Sequence, residues 1–175
     1  MSELLDIYDA DGNHLGVKPR DAVHRDGDWH RAFHLWVRCG DGVLFQRRGY
    51  DRPSYPGMLD ATAAGHLLAG ETIADGMREV QEELGVTWPM EALEDLGVHR
   101  VEDGTNREFQ HVYAVRDERP LRDWPFNREE VAGLVLVTPN SAVEWDGDRE
   151  RAVTIDPGEI VRPPYLSALG LLPGS

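Results

Sequence analysis

The chain has 175 residues, of which 41% are hydrophobic, enough for one globular domain with a core that folds alone. A formal net charge of -14 argues against DNA, RNA or anionic membrane as partners, because those need a lysine and arginine surplus. Any anionic small molecule would need intervening cations.

Cys39 is the single cysteine, so no intramolecular disulfide forms and a reducing compartment suits the chain. The start, MSELLDIYDADG, is neither basic nor apolar, and no window approaches the ~20 apolar residues of a membrane span. The expectation is a soluble, cytoplasmic protein.

In chain order, Leu4–Tyr8 reads as a strand that breaks at Asp11-Gly12-Asn13 before His14–Val17. Ala32–Arg38 and Val43–Arg48 form a second strand pair around Cys39–Gly42, since Asp-Gly tolerates the positive φ of tight turns. Pro53 and Pro56 make the next stretch a loop. From Thr72 to Leu84, Ile73, Met77, Val80 and Leu84 recur at helical spacing; Thr72 with Asp75 resembles a capping box, and Gly85 ends the helix. Gly76 weakens that helix by ~1 kcal/mol relative to alanine, so packing must hold it. Strands follow near Leu96–Val101, Glu108–Arg116 and Gly133–Val137, and Thr138-Pro139 is expected to open a short helix toward Trp145. The tail from Pro157, rich in Pro and Gly, is expected either to cross the surface or to carry one last helical turn at Tyr165–Leu171. Mixed strands with few helices imply an α/β sandwich around a mixed sheet, with a core over residues 4–137 and a C-terminal helix and tail over 138–175.

On the Thr72–Leu84 helix, Glu79, Glu82 and Glu83 stand at i, i+3 and i+4 and converge on one face. Such a triplet is ordinarily a solvated face. Its repulsion is also relieved by a hard divalent cation, and Mg²⁺ takes carboxylate, water and phosphate oxygens.

The stretch GHLLAGETIADGMREVQEELGV resembles the Nudix box: a Gly, five residues, a Glu, seven residues, then Arg-Glu-apolar-x-Glu-Glu-x-Gly-apolar. Gly65, Glu71, Arg78, Glu79, Val80, Glu82, Glu83, Gly85 and Val86 fit it, with one departure. Six residues rather than seven separate Glu71 from Arg78, a deletion assigned to Ile73–Gly76, and it brings the contact between Glu71 and Arg78 into question. The resemblance implies a Nudix-type α/β/α sandwich in which Glu79, Glu82 and Glu83 ligate Mg²⁺ or Mn²⁺. It also implies that Gly65 brings its carbonyl near the metals, Glu71 supports the loop and Arg78 orients the carboxylates. Dications would then bridge a diphosphate and lower the pKa of an attacking water, with a helix or loop carboxylate as base. Arg47 and Arg48 are candidates to hold the phosphates, Glu130 is a candidate base, and Glu108 is a candidate catalytic residue that could reach the box metals from a neighbouring strand.

The segments before the box, with Tyr55–Asp60 and Ala64-Gly65-His66, resemble type I isopentenyl diphosphate isomerases and a hydrolase group close to them. The likeness spans roughly residues 4 to 137. In those isomerases three His and two Glu bind a metal beside a catalytic Cys. His24, His30 and His66 match the three His, giving a candidate second metal site, and Glu108 matches one Glu; Asn106 stands for the other, and Ala64 stands for the Cys. Alanine offers no proton for isomerisation, so hydrolysis fits better. Cys39 reads as inert, and His34 and His111 as structural. Trp29, Tyr50, Tyr55, Trp88 and Trp124 read as the edge of the core more readily than as stacking platforms.

The expected activity is metal-dependent hydrolysis of a small organic diphosphate: a nucleoside di- or triphosphate, a nucleotide derivative or a prenyl diphosphate. The alternatives are isopentenyl diphosphate isomerisation and a diphosphate-binding regulator without turnover. The oligomeric state is open, a homodimer among the options.

Overall fold

The computed structural model describes residues 2–161 and Tyr165. The expected turn at Tyr165–Leu171 lies, beyond Tyr165 itself, outside the described residues.

The first hairpin pairs β1 (Leu4–Tyr8) with β2 (His14–Pro19), and α1 (Arg20–Asp26) follows, closed by Gly27 at φ 73°. This short helix has no counterpart in the sequence reading, because Val23 is its one buried side chain and leaves no periodic stripe. The long strand β3 (Trp29–Cys39) runs through the middle of the sheet, antiparallel to β4 (Gly42–Arg48) and β6 (Ala63–His66) and parallel to β8 (Asn106–Arg116). The short β5 (Leu59–Asp60) pairs with β4, and β7 (Glu94–Asp103) forms a hairpin with β8. Beyond β4 lie β9 (Val131–Val137), β10 (Ala142–Trp145) and β11 (Glu150–Ala152).

The expected helix after Thr138-Pro139 is instead strand β10. Thr138 N–H donates to the Ser141 carbonyl at 2.8 Å, closing a tight turn, and Ala142 and Glu144 then alternate inward on the period of two. A proline at this position starts a turn as readily as a helix.

Alternation along β3 sorts the two faces. Phe33, Leu35 and Val37 point to the side covered by α2 (Met77–Leu84), whose Val80 and Leu84 are fully buried against them. Trp36 points to the other side with Phe45, Leu59, Val112 and Tyr165. Burying these large side chains contributes roughly 1.5–3 kcal/mol each. The mixed sheet with helix on one face, and Val153, Ile155, Ile160 and Tyr165 packed on the other, is the expected sandwich. Among the described residues, no helix is long and apolar enough to cross a membrane.

Candidate active site

The strand register assembles one polar patch. His30 lies opposite Glu108, Ala32 opposite both Gln110 and His66, and His34 opposite Ala64, so neighbouring strands project His30, His34, His66, Glu108 and Gln110 to one face. His24 joins them from α1. Its ring lies 5.1 Å from that of His30 and 5.2 Å from that of His66.

The ligand atoms of His24, His30 and His66 all lie within 4.8 Å of one another, the one such group of three among the described residues. Backbone carbonyls fix two of the rings: His24 Nδ1 is 2.9 Å from the Arg20 carbonyl and His30 Nδ1 is 3.0 Å from that of Asp28. Nδ1 therefore carries the proton, and each Nε2 keeps its lone pair for a cation. His30 Nε2 is buried and has no partner. Burial, then the nearby His66, pulls the His30 pKa down to about 4 and that of His24 below its usual value. Neutral imidazoles are the form that ligates.

Glu108 sits among these rings, 3.7 Å from His66, 3.9 Å from His30 and 4.0 Å from His34. Burial opposes its charge, yet His66 beside it, ahead of the other rings, holds its carboxyl well below the usual carboxylate range. Asn106 Nδ2 at 2.8 Å and Gln110 Nε2 at 3.1 Å donate to it as well. Glu108 thus belongs to the histidine cluster rather than to the helix carboxylates.

The helix carboxylates occupy the neighbouring wall. The deleted residue between Glu71 and Arg78 is absorbed by a 3-10 turn at Ile73–Gly76 that leads into α2. Four 3-10 residues rise ~8 Å and five α-helical residues ~7.5 Å, so the tighter winding spans the same gap with one residue fewer. Gly76 fits because a Cβ there would come within 2.6 Å of the Phe33 ring. Asp75 caps the turn as expected, accepting from the Thr72 N–H at 2.7 Å. The Glu71–Arg78 contact survives, with Arg78 Nη2 donating to Glu71 Oε1 at 3.0 Å and Nε to Oε2 at 3.3 Å. Arg78 Nη1 donates to Glu79 at 2.8 Å and reaches Glu82 at 3.5 Å.

Ala64, Gly65 and His66 link the two groups along β6. Ala64 N–H donates to Glu83 Oε1 at 2.9 Å, while at Gly65 any Cβ would overlap the Glu79 side chain. His66 belongs to the histidine cluster. Glu83 is 3% exposed, and burial, with Glu79 nearby, pushes its pKa up to about 8. Burial also raises that of Glu79 against the pull of Arg78. A buried carboxylate that resists ionising beside a second one, in a cradle kept open by the missing Cβ at Gly65, is a donor set that fits a hard divalent cation.

Both groups open into one cleft of about 1190 Å³, lined by nine carboxylates against three guanidinium groups. Arg48 lines it but is committed to Asp60 at 3.1 Å and the Ser54 carbonyl at 3.1 Å. Arg47 does not line it, which corrects the phosphate-holding expectation. Its guanidinium is buried, tied to Glu144 at 2.5 Å and to the Gly57 carbonyl at 2.8 Å. Arg52, unremarked in the sequence reading, lines the cleft, and no carboxylate among the described residues lies within 4.0 Å of it. Its local sequence carried no signal, because the segment after β4 is a turn in which spacing does not fix the facing of side chains. Glu130 stands on the cleft wall, as does His34, whose Nδ1 lies 2.9 Å from the Tyr165 hydroxyl.

The chain is 36% identical over 143 residues to an uncharacterized Nudix hydrolase of Clostridium acetobutylicum, covering 77% of this chain and 69% of that protein. It is 31% identical over 117 residues to an isopentenyl-diphosphate Delta-isomerase of Serratia proteamaculans, covering 65% of each. The crystal structure of DR0079 from Deinococcus radiodurans superposes with a TM-score of 0.63 at 25% identity, over 78% of this chain and 84% of that one. Residues 28–156, well over half of the chain, match the NUDIX domain family model, and the chain therefore belongs to the Nudix family.

Proposed function

We propose that the chain is a pyrophosphohydrolase that cleaves the diphosphate linkage of a small organic substrate, with Mg²⁺ or Mn²⁺ held by Glu79, Glu82 and Glu83. The observation that carries this reading is the charge of the cleft. With nine carboxylates against three guanidinium groups, it repels a diphosphate unless dications neutralise it first. Bound there, such cations supply charge neutralisation at the phosphoryl oxygens and a more acidic water.

The chain's own residues do the rest. Arg78 holds Glu79 and Glu82 in register, Gly65 keeps the cradle open, and Ala64 fixes Glu83 through its N–H. Arg52 offers a guanidinium without a carboxylate partner to the phosphates, and Arg48 braces the loop that carries it by its bonds to Ser54. Glu130, on the cleft wall, is the proposed base that takes the proton of the attacking water. His24, His30 and His66, with Glu108 between them, are proposed as a second cation site suited to Zn²⁺ or Mn²⁺.

The histidine cluster also favours a second reading, isomerisation of isopentenyl diphosphate. Ala64 speaks against it, because no side chain there can move a proton at carbon. The test is a screen of nucleotides, dinucleotides, nucleotide sugars, thiamine diphosphate and prenyl diphosphates, with and without metal, with the products separated by ion-exchange chromatography to detect the phosphomonoesters that cleavage of a diphosphate linkage yields. Isopentenyl diphosphate is included and checked for a shifted double bond. Metal-dependent formation of phosphomonoesters that Glu82→Gln abolishes while the circular dichroism spectrum is unchanged supports hydrolysis. A shifted double bond without cleavage supports isomerisation.

A further inference from the structure

The loop between β6 and α2 sets Glu71, and through it Arg78 and the carboxylates. That loop is held by residues that precede the family match at residue 28. We propose that Asp6, on β1, is a positioning residue for the cation-binding carboxylates, acting through Gly70, Glu71 and Arg78; the inference rests on the cation site proposed above.

Each backbone N–H from Leu68 to Thr72 has an acceptor. Leu68 donates to Glu71 Oε1 at 2.6 Å, Gly70 to Asp6 Oδ2 at 2.9 Å and Thr72 to Asp75 at 2.7 Å. Ala69 donates to the Leu4 carbonyl at 2.8 Å and Glu71 to that of Leu68 at 3.0 Å. Two of these five acceptors, Leu4 and Asp6, belong to β1, so the hairpin clamps the middle of the loop.

Asp6 also anchors a cation that touches the same loop. Arg31 Nη2 lies 3.5 Å from Asp6 Oδ2 and donates to the Glu71 carbonyl at 2.9 Å. The Asp6 side chain is 13% exposed and that of Arg31 19%, which shields the pair from solvent screening. From there the chain of contacts runs through the Glu71 carboxylate to Arg78 and then to Glu79 at 2.8 Å. Without the Asp6 carboxylate, the Gly70 N–H loses its acceptor, His14 loses a partner at 2.7 Å, and the Arg31 guanidinium that holds the Glu71 carbonyl loses its counter-ion. A glycine at φ 81° at residue 70 has no side chain to hold the loop in its place.

Such outer contacts typically govern about 10- to 100-fold of metal affinity. The experiment is Mn²⁺ titration, read from the paramagnetic resonance of free ion, on the wild type, Asp6→Ala, Asp6→Asn and Glu79→Gln. The component lost in Glu79→Gln identifies the α2 site. We expect Asp6→Ala to weaken that component about tenfold or more. Asp6→Asn, which keeps an acceptor for Gly70 but not the charge for Arg31, should fall in between. Hydrolysis by both variants should recover at saturating Mn²⁺, which a general loss of fold would not allow. If Asp6→Ala does not fold, Asp6→Asn alone decides. A wild type that binds and Asp6 variants that bind equally well overturn this inference only. A wild type without a component sensitive to Glu79→Gln overturns the cation site and this inference with it.

Discussion

Glu83→Gln isolates the electrostatic cost of the metal-free site. The Glu83 carboxyl is 3% exposed, and burial raises its pKa from an ordinary 4.5 to about 8. A group raised in the folded state favours folding fully below pH 4.5, and that contribution is lost as pH rises through about 8. Each pH unit across that window costs about 1.4 kcal/mol, an upper bound of about 5 kcal/mol over the whole of it. The Gln variant is neutral throughout, and its Oε1 can still accept the Ala64 N–H. In urea unfolding with EDTA, the two proteins should be about equally stable near pH 5, and the variant more stable by several kcal/mol at pH 8, at most about 5. Adding Mn²⁺ at pH 8 should stabilise the wild type more than the variant, since any gain through the histidine cluster is common to both. Parallel stability curves from pH 5 to 8.5 would refute the argument that Glu83 is a buried acid awaiting a cation.

Gly65→Ala puts a methyl group into the Glu79 side chain, and misplacing that carboxylate by ~1 Å should lower kcat/KM about 100-fold with the melting temperature nearly unchanged. Arg52→Ala should raise KM about tenfold or more with a smaller change in kcat, if its guanidinium binds the phosphates in ground and transition states alike. Arg47→Ala should do the converse: it leaves Glu144 buried without its main counter-ion and destabilises the fold by about 3 kcal/mol in chemical denaturation, while KM stays put.

The carboxylate helix was legible because i, i+3, i+4 spacing is a local property, and Glu79, Glu82 and Glu83 needed no knowledge of the sheet. The joint position of His24, His30 and His66 was legible only through family likeness, since α1, β3 and β6 bring them together from distant parts of the chain. Arg47 and Arg48 were not separable in sequence. Adjacent strand residues face opposite sides, and only the pairing of β4 with its neighbours shows which one meets Glu144 and which the cleft: Arg47 the first, Arg48 the second. The missing box residue left the brace uncertain in sequence because helix type is invisible there. Only the 3-10 winding shows how Glu71 still meets Arg78. Strand β10 was misread because Thr-Pro begins helices and turns alike, and the pairing of β10 with β9 selects the turn.

The most direct measurement is anomalous diffraction from crystals soaked in Mn²⁺ with a methylene-bridged diphosphonate. The account predicts a peak within bonding distance, about 2.0–2.5 Å, of the Glu79, Glu82 and Glu83 carboxylates, with analogue oxygens beside it. Analogue density in the cleft without an anomalous peak at those carboxylates would contradict it.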